Sequence, residues 1–115
     1  MQFIHDGIFY KVARITGPAH NLLSLRFASG DEQITPVVER LKPVLNVSLD
    51  SERVLNEAQA GVNEANQRFG TSYRIASLQF ADDDSPPESI YRLLAFSLIE
   101  RLATGLTFVE VPAKP

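Results

Sequence analysis

A chain of 115 residues is the length of one domain, read here as residues 1–115, and such a chain buries about two-thirds of the surface it exposes when extended. A hydrophobic content of 44% against 22% charged residues, with only 6 Gly and 7 Pro, excludes a disordered, collagenous or low-complexity chain. A net charge of −3 and the lack of cysteine exclude a basic nucleic-acid-binding field, disulfides, Cys-ligated zinc and thiol nucleophiles together.

Residues 7–16 (GIFYKVARIT) and 22–29 (LLSLRFAS) are rich in β-branched and aromatic residues and predict two strands, joined by a turn over 17–21 that places His20 in a hairpin loop. In the second strand Leu23, Leu25 and Phe27 share one face, so Ser24 and Arg26 are expected on a wet face. The first strand puts Ile8, Tyr10 and Val12 on one side and Phe9, Ala13 and Ile15 on the other. If helices cover only one side, the other is a patch suited to an interface, unless residues 33–49 cover it. Thr35 and Pro36 suit the start of a short helix, but the common parity of Val37, Leu41, Leu45 and Val47 favours a third, antiparallel strand over about 33–40.

Val54, Ala58, Val62, Ala65 and Phe69 recur at helical spacing, with Gly70 where a terminating glycine belongs, and predict a helix over 50–69. Gly61 and the alanines flatten its apolar face for close approach to a sheet. Residues 72–80 (SYRIASLQF) predict a strand whose apolar parity changes partway, as in a central strand or at a bulge. Ser85, Pro86, Pro87 and Glu88 read as a capping box opening a second helix, which runs through Ile90, Leu94 and Leu98 to Gly105. Residues 107–111 are a last strand. The order β-β-(β)-α-β-α-β predicts an α+β two-layer sandwich: a mostly antiparallel sheet of four or five strands with two long helices on one face. If its strands are parallel, the unit over 72–111 crosses over right-handed.

Chemistry-bearing motifs are sparse. Asp82, Asp83, Asp84 and Glu88 gather four carboxylates in seven residues without a base. They lack the spacing and glycine of a calcium loop and suit a helix N-terminus or an acidic rim for a basic partner. Tyr91 and Arg92 are residue types that anchor interfaces, so Asp82, Asp83, Asp84, Glu88, Tyr91 and Arg92 form the expected partner-binding surface. His5 and Asp6 adjoin, but neighbours in an extended segment point apart. The chain carries neither nucleotide-binding glycine motif, G-x-S-x-G nor H-E-x-x-H, so no catalytic residue, metal or cofactor is assigned. No apolar run reaches the ~18–20 residues of a membrane span, and the first residues lack the charged and apolar regions of a signal peptide. The expectation is a small cytoplasmic, non-enzymatic module that binds a protein partner of basic surface or itself, in the manner of an inhibitor. The alternative is a small-ligand binder or enzyme with a pocket between sheet and helices.

Overall fold

A computed structural model describes residues 1–16, 19–41, 49–81 and 87–112, with the side chains of Thr16 and Ala19 left aside. The predicted turn at Gly17 and Pro18, the parity of Leu45 and Val47, the carboxylates Asp82, Asp83 and Asp84 and the cap at Ser85 all lie outside the described residues. The elements are β1 (Gln2–His5), β2 (Tyr10–Thr16), β3 (Ala19–Phe27), β4 (Val37–Leu41), α1 (Ser51–Phe69), β5 (Ile75–Ala81), α2 (Ile90–Ala103) and β6 (Val109–Glu110). The six strands form one sheet in the order β4-β5-β3-β2-β1-β6. No described helix is long and apolar enough to cross a membrane.

The α+β architecture with two helices on one sheet matches expectation, while strand count, order and direction differ, the two outermost strand pairs, β4 with β5 and β1 with β6, being parallel. The predicted first strand is shortened to start at Tyr10, because Asp6 breaks the chain: its Oδ1 accepts from the backbone N–H of Ile8 (2.9 Å) and Phe9 (2.7 Å), and Gly7 takes φ 90°. Residues before that turn become an extra strand, β1, antiparallel to β2. The strand expected at 33–40 forms at Val37–Leu41 but lies parallel to β5, on the sheet edge, with α1 as the crossover between them. Parity marks the face of a strand and is silent on its direction. The unit over 72–111 is no parallel pair, since β6 joins the far edge beside β1. His20 belongs to β3, opposite Ile15, rather than to a loop.

The strand register sorts residues cleanly into two faces. Phe3, Val12, Leu23 and Phe80 stand in one row across neighbouring strands, and Tyr10, Leu25, Leu78 and Val38 in the next. Val12, Leu23, Leu25, Leu78 and Phe80 are buried in one cluster with Val54, Ala58, Val62 and Ala65 of α1 and Leu94, Ala95, Leu98 and Ile99 of α2. Both helices therefore pack on this face. The parity change in β5 is a register shift opposite the Arg26–Phe27 step, and both Ile75 and Ala76 are buried there.

Each helix ends as its sequence dictates, while their starts are joined. Asp50 caps α1 through hydrogen bonds from the N–H groups of Glu52 and Arg53. Gly70 ends it in the left-handed conformation at φ 69°. At the end of α2 the N–H of Leu106 reaches the carbonyl of Arg101 and that of Gly105 the carbonyl of Leu102, a Schellman closure with Gly105 at φ 72°. Leu106, the next residue, stays exposed. Gly61 approaches α2 rather than the sheet: a Cβ there would collide with the backbone carbonyl of Arg92 and sit 3.1 Å from the Ala95 methyl.

Candidate functional site

Of the six residues expected to form a binding surface, Asp82, Asp83 and Asp84 lie outside the described residues, and the other three serve the helix pair. Glu88 does not cap its own helix. α2 begins two residues later with a tight turn, the N–H groups of Ile90, Tyr91 and Arg92 reaching the carbonyls of Pro87, Glu88 and Ser89. The Glu88 carboxylate accepts instead from the backbone N–H of Asp50 (3.1 Å), with the Arg53 guanidinium 3.9 Å away. A capping box normally takes that carboxylate from the third residue of the same helix; here the neighbouring element supplies it. The Asp50 N–H, followed by its own N–H and the charge of Arg53, holds the Glu88 carboxyl below the usual glutamate range, against opposition from burial and the Asp50 charge.

Tyr91 is fully buried, its ring edge-on to Phe80 in the core, so the anchor role expected of it is corrected: a side chain with no exposed surface gives none to a partner. Arg92 is half-exposed and ion-paired with Glu64 of α1. These two border a groove of about 400 Å³ with Arg68, Ser89, Leu93 and Phe96, on the outer surface of the helix pair.

His5 and Asp6 do not meet, as the extended backbone implies. Asp6 turns into the 6–9 loop and toward the Lys11 ammonium (3.3 Å), and the Phe9 N–H, with Ile8 and Lys11, outweighs burial to keep its carboxyl below the ordinary aspartate range. His5 takes a partner that no sequence spacing announces: its Nδ1 lies 2.9 Å from Glu110 Oε2, 105 residues away, and its ring stacks on Tyr10 at 4.2 Å. Such a pair fixes an imidazole tautomer. Among the described residues no group of three His, Asp or Glu side chains is placed to hold a metal ion.

The second face of the sheet is the remaining surface of note, and among the described residues no helix lies on it. One row runs Val109, Ile4, Lys11, Ser24, Gln79, Glu39 across all six strands. The next holds Gln2, Ala13 and Leu22, continued on β5 and β4 by Ala81 and Leu41. Ile15 (70% exposed), Val109 (64%) and Val37 (59%) stand at its margins. Residues 37–41 extend this face sideways as an edge strand, and residues 42–48, the rest of the segment that the sequence offered as its cover, lie outside the described residues.

Ser24 overturns the expectation of a wholly wet face. It is fully buried, and its Oγ has no hydrogen-bond partner among the described residues. An orphan hydroxyl of this kind costs about 1–3 kcal/mol. Nearby, Gln79 Nε2 donates to Glu39 Oε1 (2.8 Å), and Arg26 Nε reaches Ser77 Oγ (3.4 Å). The surface is thus apolar along one row and carries both signs of charge along the next. Comparisons of the chain with protein-family models, curated proteins and solved structures find no match.

Proposed function

We propose that this chain works by binding a protein, with no chemistry of its own, and that the helix-free face of its sheet is the binding surface. The observation that carries the reading is the distribution of apolar residues over two faces when only one is covered by helices. Ile4, Ala13, Ile15, Leu22, Leu41 and Val37 lie on the side that carries no helix among the described residues, and an apolar patch rimmed by charge is a common form of interaction site.

The alternative, a ligand pocket between sheet and helices, finds that space filled: Val12, Leu23, Leu78, Phe80, Tyr91, Leu94 and Leu98 are packed there without exposure. Grooves among the described residues lie along the helix pair at Glu64, Arg92 and Phe96, beside Met1, Phe3 and Arg101, and at Ala28 and Tyr73.

The reading is tested by comparing wild type with Ala13→Arg, which plants a charge on the sheet face, and Leu93→Arg, which does so on the helix surface. Complexes captured from the source-cell lysate and self-association in sedimentation are the readouts, with circular dichroism confirming the fold. Ala13→Arg is expected to abolish the wild-type complexes and Leu93→Arg to keep them. An Ala13→Arg chain that retains every complex overturns the reading.

A further inference from the structure

We infer that the partner of the helix-free face is a second copy of this chain, docked sheet to sheet about a two-fold axis that runs along the strands midway between β3 and β5. The inference rests on the reading of that face as the binding surface and adds its occupant and register. Closed dimers present the same patch from both subunits, so the patch has to be complementary to its own image. This face is. The axis lays β3 over β5 of the second copy and β2 over β4, with each row meeting itself in reverse.

In the polar row Lys11 then faces Glu39 of the second copy, and Ser24 faces Gln79. In the apolar row Ala13 faces Leu41 and Leu22 faces Ala81, each small side chain meeting a large one. One operation thus pairs opposite charges and fits large against small in adjacent rows, every pair occurring twice.

Lys11 has further protons beyond its contact with Asp6, and Glu39 a second oxygen beyond its bond from Gln79. Facing sheets pack about 10 Å apart and about 30° off parallel, a gap that long Lys and Glu side chains span, and pairs near the axis are displaced least. Four overlapping strands make a footprint of roughly 19 by 23 Å, at the small end for a specific interface. The dimer is therefore expected to dissociate on dilution.

The experiment is sedimentation equilibrium of the full chain at low salt for wild type, Lys11→Glu, Glu39→Lys and an equimolar mixture of the two variants. Wild type is expected to dimerise, and each variant alone, facing like charge with like, to dissociate roughly tenfold more readily. The mixture restores both charge pairs and is expected to recover wild-type association, which a merely structural defect in either variant would not do. A wild-type chain that stays monomeric at every concentration overturns the inference, and so do single variants that weaken association without rescue on mixing. In either event the wider reading survives if Ala13→Arg still abolishes complexes with other proteins, and falls with the inference if it does not.

Discussion

Glu88 ties together the starts of two helices that are adjacent in space and distant in sequence. Its carboxylate accepts the Asp50 N–H while Asp50 accepts those of Glu52 and Arg53, so one side chain of the α2 entry turn completes the α1 cap. Because the Glu88 carboxyl titrates lower in the folded chain than in the unfolded one, the stability it adds is fully present above the ordinary glutamate range. That stability is lost as pH falls through the lowered folded value. Glu88→Gln is expected to cost about 1 kcal/mol in urea unfolding near pH 7, with the difference closing as pH falls below the ordinary glutamate range and the wild-type carboxyl protonates. Asn66 does comparable work at the other end of α1. Its Oδ1 accepts from Thr71 Oγ1 and the Tyr73 N–H, and its Nδ2 donates to the Tyr73 carbonyl. Neither role is legible in the sequence, because each depends on a backbone group brought near by the packing of other elements. Ser85 with Glu88 satisfied a local capping pattern, and the fold used the glutamate elsewhere.

Among the elements, the helix pair is the most tightly specified. Gly61 allows α1 to meet the backbone of α2 at Arg92, where no side chain has room to give. Gly61→Ala gains up to ~1 kcal/mol of helix propensity and forces the two helices apart. Overpacking of this kind costs about 1–3 kcal/mol, and against a backbone carbonyl the upper end applies. A net loss of about 2 kcal/mol in urea unfolding is the expected outcome, and an unchanged midpoint would show that the pair has slack. Both helices, their glycine ends and the apolar parities of β2 and β3 were legible because 3.6-residue and two-residue periods are local properties. The edges of the sheet were not. The Asp6 turn that creates β1 runs into the start of a segment that reads as one strand, and the direction of β4 is decided by its partner β5, 40 residues onward in the register Val38↔Leu78.

At the scale of the molecule, an unequal covering of the sheet dominates. One face buries Val12, Leu23, Leu25, Leu78 and Phe80 under α1 and α2, while the opposite face keeps an apolar row beside a row of mixed charge. The first strand's two apolar parities announced that possibility in the sequence, whereas the burial of Tyr91 was not legible there because residue type says nothing of burial. The measurement that bears most directly on the account uses the lack of cysteine in the chain. A single thiol placed by Ala13→Cys reports on the sheet face, and one placed by Leu93→Cys reports on the helix surface. Their alkylation rates are followed as the purified chain is concentrated, and again in source-cell lysate. The account predicts that the Ala13→Cys thiol becomes protected while the Leu93→Cys thiol does not. Equal rates for the Ala13→Cys thiol at every concentration and in lysate, or protection of the Leu93→Cys thiol alone, would contradict it.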